Sequence, residues 1–248
     1  MSVSQFKEFL ECEAAAKAKL DGVWKPKGDP SALLVGNYLH SYFESPTAHR
    51  KFIAEHPEII SSQGKTKGQL KKEYKVADAM IDTLRKDPIF QDLYKGRKEV
   101  VMQGTIGGVK WIGKLDAIRT NHSMIMDLKT TQDLHKPFWM KDKKGPVSFI
   151  EDFNYPLQMA VYQELAYQRW GVRPLATIIA VTKQTPPDKA AFNMSQSSMD
   201  NAMHVMLQQL DHIVQVKNGT ADPTRCEHCA YCRSTKKLSV VDMKDLID

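Results

Sequence analysis

Two acids and a lysine stand near the ends of two neighbouring apolar segments. Asp116 comes late in residues 109–119, and Asp127 and Lys129 come late in residues 123–131. If both segments are β-strands, Asp127 and Lys129 leave the same face of theirs, and a hairpin brings Asp116 close to Asp127. Paired carboxylates hold Mg²⁺, which lowers the pKa of water and stabilises charge on a phosphate. A lysine can orient that water or hold a phosphate oxygen. The pattern therefore predicts metal-dependent phosphate chemistry.

The D-x-K spacing is weak evidence by itself, because D-x-K or E-x-K recurs at Asp142/Lys144, Asp242/Lys244 and Glu73/Lys75. Its context distinguishes Asp127: an apolar segment precedes it, another segment ending in an acid comes before that, and Thr130-Thr131 follow. A surface salt bridge at a strand end remains the alternative.

A second constellation consists of thiols. One cysteine lies near the start of the chain and three lie in a C-x₂-C-x₂-C cluster near its end: Cys12, Cys226, Cys229 and Cys232. Four thiolates can bind Zn²⁺ tetrahedrally or hold a [4Fe–4S] cluster. Free thiols are the third alternative, and His228 or His204 would favour zinc if either replaced Cys12.

Composition limits the class of protein. The chain has 248 residues, 42% hydrophobic and 26% charged, which is ordinary for a globular protein and excludes a disordered or fibrous one. No apolar stretch approaches the roughly 20 residues that span a bilayer, and the first residues lack the apolar core of a secretory signal, so we expect a cytoplasmic protein with no membrane partner. The net charge of +6 suits a polyanionic partner, although a solvated basic surface would give the same charge.

The elements that position these residues follow from periodicity and turn signals. Helices are predicted over residues 4–20, 31–45, 65–87, 153–170 and 198–219, and strands over 98–105, 109–119, 123–131, 175–183 and 190–196. The first three strands are expected to form an antiparallel meander. We predict one α/β (α+β) domain over 1–248 on a central mixed β-sheet flanked by helices. It has a mainly helical part (1–95), a core (96–195) and a C-terminal helix with the cysteines (196–248).

Four pieces of the chain together resemble a known superfamily. Gly113-Lys-Leu-Asp116 followed by Asp127-Leu-Lys129-Thr resembles motifs II and III of the PD-(D/E)XK nucleases, RecB and lambda-exonuclease-like branch. Gly36-Asn-Tyr-Leu-His40 resembles the G-x-x-x-H helix motif of that branch, and Gln158-Met-Ala-Val-Tyr162 its Q-x-x-x-Y helix motif. The pieces occur in family order, and the match resembles most the phage exonuclease VIII (RecE-type) group, which shares a terminal C-x₂-C-x₂-C.

The resemblance implies roles for individual residues. Asp116 and Asp127 would bind Mg²⁺ or Mn²⁺ together with the Leu128 carbonyl, and His40 would bind or flank a second ion. Lys129 would position or activate the attacking water. Gln158 would steady the lysine or the nucleophile, with support from Tyr162. The cysteines resemble the iron–sulfur staple of AddB-type and CRISPR-adaptation nucleases, which favours a [4Fe–4S] cluster with Zn²⁺ as the alternative.

A basic and aromatic segment lies between the lysine and the Gln158 helix. Four lysines and two aromatics are candidates for DNA contact: Lys136, Phe138, Trp139, Lys141, Lys143 and Lys144. Lysines suit phosphates, and aromatic rings can stack on bases or wedge between them. The alternative is a solvated loop whose aromatics pack in the core.

Together these features predict a Mg²⁺-dependent DNA exonuclease. The resemblance implies 5′→3′ digestion of linear duplex DNA, a homo-oligomeric ring of three or four subunits, a phage or prophage origin in a bacterial cytoplasm, and 3′ tails passed to a RecT-type single-strand annealing protein. The alternatives are an end-processing or structure-specific endonuclease of the same superfamily, and a non-catalytic, metal-stapled DNA-binding module.

Overall fold

The computed structural model describes residues 1–26, 31–139, 145–238 and 240. Its contacts divide the chain into two compact units, one consisting of Met1 and Asp29–Leu207 and the other of Ser2–Gly28 and Gln208–Asp248. The single domain expected over 1–248, with its three parts, stays a prediction. Within the described ranges, no helix has both the length and the apolar character needed to cross a bilayer.

The strands of the described residues are, in chain order, β1 (Arg97–Ile106), β2 (Val109–Ile118), β3 (Met124–Thr131), β4 (Phe138–Trp139), β5 (Pro146–Val147), β6 (Leu175–Thr182) and β7 (Lys189–Asn193). The helices are α1 (Val3–Glu11), α2 (Glu13–Leu20), α3 (Ser31–Glu44), α4 (Pro46–Glu55), α5 (Lys72–Arg85), α6 (Pro88–Leu93), α7 (Phe149–Asp152), α8 (Tyr155–Trp170), α9 (Gln196–Asn218) and α10 (Ala230–Thr235), with short 3₁₀ turns at Pro57–Ile59 and Gly64–Thr66.

The first unit is built on a five-stranded mixed sheet in the order β1-β2-β3-β6-β7. Strands β1, β2 and β3 pair antiparallel, as the predicted meander requires. Strand β6 returns parallel to β3 through α7 and α8, and β7 pairs antiparallel with β6. The predicted α/β architecture with a central mixed sheet is therefore confirmed, and β4 and β5 add a small separate ribbon.

The core on one side of β3 fixes where its polar side chains go. Met126 and Leu128 are fully buried in a cluster with residues of α3, α5 and α6. Because successive side chains of a strand alternate between faces, Asp127 and Lys129 leave β3 on the opposite face. Helix α8 packs against β1, β2 and β6, and its Gln158 contacts Asp127 on that face.

Two predicted helices depart from the observed bounds by more than one or two residues at an end or are interrupted. The helix expected over 4–20 is divided at Cys12, whose backbone is extended (φ −168°, ψ 108°), because Cys12 belongs to the cysteine cluster described below. The helix expected from residue 65 begins at Lys72. Gly68 has φ +80°, and an antiparallel bridge joins Ile60 to Leu70. The backbone before Lys72 therefore forms a turn and not the first part of a helix.

Helix α8 packs closely on β2 at Gly113. A Cβ atom there would lie 2.8 Å from Cε1 of Tyr162 and 3.3 Å from Cδ1 of Leu165. We expect Gly113→Ala to lower the free energy of unfolding by about 1–3 kcal/mol, because extra volume in a packed interface forces its neighbours to move. Urea denaturation measures this change. Gly36→Ala is the control, since nothing lies within 4 Å of its added methyl in α3, and it should stabilise by about 0.5–1 kcal/mol. Equal effects of the two substitutions would contradict the close packing.

Candidate active site and cysteine centre

Three acids lie side by side across three neighbouring strands. In the β1–β2 register Lys98 pairs with Ala117 and Val100 with Leu115, which places Glu99 opposite Asp116. In the β2–β3 register Ala117 pairs with Met126, which places Asp127 next to Asp116 on the other side. Carboxylates this close repel one another when ionised, so the surrounding groups must offset their charge.

Asp116 is the central acid, and its side chain is buried. Its Oδ2 accepts a hydrogen bond of 2.7 Å from the backbone N–H of Leu128 and lies 3.4 Å from Nδ1 of His40. Burial and the negative charge of Asp127 raise the pKa of Asp116 to about 6, against the opposing effect of His40 and Lys129. A carboxyl group with this pKa is held in a site that favours a nearby cation.

Asp127 is held by two side chains. Its Oδ2 lies 2.5 Å from Nζ of Lys129, and its Oδ1 accepts a hydrogen bond of 2.7 Å from Nε2 of Gln158. The same amide also donates to the hydroxyl of Tyr162 at 3.2 Å. Burial would lower the pKa of Lys129, but the charges of Asp127 and Asp116 outweigh it and raise that pKa. Gln158, which the resemblance assigned to the lysine or the nucleophile, thus contacts the carboxylate that pairs with the lysine.

Glu99 completes a potential metal-binding group that sequence reasoning did not assign. His40, Glu99 and Asp116 each offer one potential ligand atom, and these three atoms lie within 4.8 Å of one another. Glu99 has φ +50°, a left-handed conformation that costs a non-glycine residue roughly 1–3 kcal/mol, and residues strained in this way cluster at functional sites. The signal was available: a hairpin folded at Gly107-Gly108 places residue 99 opposite residue 116.

The donor set fits a hard divalent cation, because two carboxylates and one imidazole surround one point at the end of the sheet. Asp127 stands next to this group rather than within it, with its oxygens directed at Lys129 and Gln158. Leu128 contributes the backbone N–H that orients Asp116, and its side chain is fully buried.

A groove of about 590 Å³ opens beside the metal-binding group. It lies between α3 and α4 and reaches β1 and β2, and its wall includes Ser45, Thr47 and Lys51 along with His40 and Glu99. Lys114 of β2 pairs with Glu99 at the rim of the groove. The site is therefore accessible from solvent on this side.

The predicted DNA-contact residues divide into three groups. Lys141, Lys143 and Lys144 lie outside the described residues. Phe138 packs against Phe153, with Lys136 Nζ 5.5 Å from the centroid of its ring. Trp139, the next residue of β4, leaves the opposite face of the strand and is 75% exposed. The expected pair of adjacent stacking rings is thus divided between two faces.

The second unit contains the cysteine centre. The Sγ atoms of four cysteines all lie within 4.8 Å of one another: Cys12, Cys226, Cys229 and Cys232. The Sγ of Cys232 lies 3.6 Å from that of Cys12 and 4.0 Å from that of Cys226. Burial raises the pKa of Cys226, but N–H donors of Cys229 and His228 lower it to about 6. The group includes neither His228 nor His204, the candidate replacements for Cys12.

Polar contacts hold the segment before the cluster against the start of α2. Glu13 Oε2 accepts a hydrogen bond of 2.8 Å from the backbone N–H of Thr224, and the carbonyl of Thr224 accepts one of 3.0 Å from Ala14. The Oε1 of Glu13 lies 3.0 Å from Nε2 of His212 in α9. These contacts hold Cys12 and Cys226 close together, although they are far apart in sequence.

The fold and the acid–lysine arrangement are those of the PD-(D/E)XK nuclease superfamily. The family model described as "PDDEXK-like domain of unknown function (DUF3799)" matches residues 2–235, so the chain belongs to this family. No protein with curated annotation matches it. The predicted superfamily is thereby confirmed, whereas the particular similarity to the RecE-type group stays a prediction.

One solved structure points the same way. A crystal structure from Eubacterium rectale, named a "putative exonuclease", is 34% identical to this chain with a TM-score of 0.91, and the match covers 100% of this chain and 92% of that one. A second solved structure, of SSO0001, is 15% identical with a TM-score of 0.34 over 84% of this chain and 95% of that one. At that TM-score the second likeness carries no argument.

The raised pKa of Asp116 predicts how pH affects the metal-free protein. In the unfolded chain this pKa is near 3.8, and in the folded chain it is about 6. The folded state therefore holds the proton more tightly, and stability falls as pH rises from about 4 to about 6, on the order of 1 kcal/mol per pH unit. Urea denaturation in EDTA at both ends of this range measures the change.

Asp116→Asn is the matched variant for this measurement. It retains the shape of the side chain but cannot ionise, so its stability should fall less over the same pH range. A pH dependence identical to that of the unmodified protein would contradict the buried, proton-retaining carboxyl group.

Proposed function

We propose that this protein is a divalent-metal-dependent deoxyribonuclease that digests linear double-stranded DNA from its ends. One observation carries the proposal: Glu99, Asp116 and Asp127 converge from three strands, with a partly buried lysine paired to one of them. Membership of the PDDEXK-like family and 34% identity to the E. rectale protein support nuclease activity.

A divalent cation, when bound, lowers the pKa of water and stabilises negative charge on the phosphate. His40, Glu99 and Asp116 are the residues that would hold it, and Mg²⁺ or Mn²⁺ suits two carboxylates and an imidazole. Asp127, beside Asp116, is the remaining carboxylate for the second ion that the resemblance implies.

Lys129 supplies positive charge where a phosphate would lie. Asp127 and Asp116 raise the pKa of its ammonium, so at neutral pH it is a charged hydrogen-bond donor. It can orient a water molecule or hold a phosphate oxygen while Asp127 fixes its position. Gln158 orients Asp127, and Tyr162 accepts from the Gln158 amide, so both act through the carboxylate.

The finer parts of the proposal rest on the RecE-type resemblance. They are 5′→3′ polarity, a ring of three or four subunits around DNA, and delivery of 3′ single-stranded tails to a single-strand annealing protein of a phage or prophage. The net charge of +6 is consistent with a DNA partner.

Substitutions of the core residues test the activity. Asp127→Ala and Lys129→Ala should each reduce digestion of linear duplex with Mg²⁺ by about 10²-fold or more, because each removes charge placed at the reacting phosphate. Release of acid-soluble nucleotides measures the rate, and circular dichroism verifies the fold. Lys110→Ala is the control, because Lys110 is an exposed lysine of β2 outside the group.

Digestion that persists in either variant, while Lys110→Ala behaves normally, would remove the assignment. Covalently closed circular DNA distinguishes the alternatives within the superfamily: an exonuclease leaves it intact, whereas an endonuclease nicks it. Binding of DNA without any metal-dependent cleavage would instead support the non-catalytic module.

We also propose that the cysteine centre binds a metal. With Zn–S bonds of about 2.3 Å, tetrahedral geometry places the sulfurs about 3.8 Å apart, and the Cys12–Cys232 and Cys226–Cys232 distances of 3.6 Å and 4.0 Å match this value. A [4Fe–4S] cluster bonds each cysteine to a different iron and needs a wider arrangement of sulfurs. The geometry therefore favours a single Zn²⁺, and the [4Fe–4S] cluster suggested by the resemblance stays a prediction.

Elemental analysis of anaerobically purified protein distinguishes the two. We expect about one zinc per chain and no absorption band near 400 nm, and an iron-rich, coloured sample would reject the single ion. Cys229→Ala should lose the metal and lower Tm by about 5 °C or more, because the bound ion stabilises the folded state. His228→Ala should retain both the metal and Tm; metal loss in this variant would show that His228 is a ligand.

A further inference from the structure

A row of aromatic rings runs from the β4–β5 ribbon to the candidate active site. Phe138 meets Phe153 edge-on with ring centroids 5.9 Å apart, and Phe153 stacks on Tyr155 at 5.7 Å with 20° between the planes. The Nζ of Lys129 lies 5.0 Å from the centroid of the Tyr155 ring. We call Phe138, Phe153 and Tyr155 the aromatic row; it ends at the lysine that pairs with Asp127.

The junction of α7 and α8 sets this geometry. A capping box formed by Ser148 and Glu151 begins α7, which ends at Asp152. Asn154 then adopts the left-handed conformation (φ 46°, ψ 49°), which asparagine tolerates better than most residues. The reversal lets Phe153, before α8, stack on Tyr155, the first residue of α8.

Exposure and charge suggest what the row binds. Phe153 is 49% exposed, although its ring is aligned with two others. Lys136 places its ammonium 5.5 Å from the Phe138 centroid, so the outer end of the row presents a cation beside aromatic rings. Aromatic rings combined with flanking cations are how proteins bind single-stranded nucleic acid, with bases on the rings and phosphates on the cations.

We propose that the aromatic row binds the unpaired bases of the DNA strand that enters the active site. Unpaired bases suit a row of rings best, because a duplex offers a free base face only at its terminal pair, whereas each base of a separated strand can present one. The inference rests on the proposed nuclease function and adds its substrate form, a separated or frayed strand. It also adds Phe153 and Tyr155 to the contacts expected at Phe138.

Binding without cleavage tests the proposal. Fluorescence anisotropy in EDTA compares a labelled oligothymidylate with an abasic oligonucleotide of equal length, which has the same number of phosphates but no bases. The unmodified protein should bind the oligothymidylate more tightly. Phe153→Ala should weaken that binding about fivefold or more and leave abasic binding within about twofold, because stacking acts on the base alone.

Two further variants sharpen the result. Phe153→Leu retains apolar contact without a π-face and should behave like Phe153→Ala, whereas Phe153→Trp should retain the base preference. Tyr167→Ala is the matched control: Tyr167 is a 44% exposed ring of the same helix as Tyr155, about 18 Å further along it, and packs on Arg173. It should leave both affinities unchanged.

Failure of this inference can be distinguished from failure of the proposed function. Equal losses on both oligonucleotides in Phe153→Ala, or no loss on either, would overturn the role of the row even if digestion with Mg²⁺ is normal. A base preference that depends on Phe153 in a protein without digestion would support the row as a single-strand binding site and remove the nuclease assignment.

Discussion

Repulsion among three neighbouring carboxylates is the constraint on which the first unit depends. Glu99, Asp116 and Asp127 occupy one line across β1, β2 and β3, and an unpaired charge in that position would destabilise the sheet. Lys129 and Gln158 contact Asp127, and the Leu128 N–H contacts Asp116. Burial, together with the negative charge of Asp127, still raises the pKa of Asp116, so the folded chain favours the neutral form of this carboxyl group. The neighbouring carboxylates that repel one another, and so lower the stability of the fold, are therefore also the groups that could bind a metal ion.

Helices on both faces of the sheet contribute to the site, because α3 brings His40 to Asp116 and α8 brings Gln158 to Asp127. On one face, apolar side chains of β3 and β6 pack against α3 and α5 and give the strands a rigid support. On the other, α8 approaches β2 so closely that Gly113 leaves no room for a side chain, and this approach brings Tyr162 and Gln158 to the acids. Rigid packing on one face is what makes the polar geometry on the other reproducible.

The second unit contains the cysteine centre and a small apolar cluster around it. Its apolar cluster around the cysteines is small, consisting of Cys12, Ala14 and Cys232 with a few partly buried neighbours. Four clustered thiols can supplement so small a cluster with a bound metal. The extended backbone at Cys12 divides the first helix because the thiol is needed in the cluster, so the potential ligand set overrides local helix propensity.

The sequence by itself determined the meander, the mixed sheet, and the order of Asp116, Asp127 and Lys129, because alternation and turn signals act over short distances. It did not determine that Glu99 joins His40 and Asp116, although a hairpin folded at Gly107-Gly108 places residue 99 opposite residue 116. Only the tertiary structure decided that Gln158 contacts Asp127, that Trp139 leaves the face on which Phe138 packs, and that Phe153 stacks beside the active site. Those contacts join residues from different elements, and side-chain direction across such distances depends on packing, which local sequence patterns do not specify.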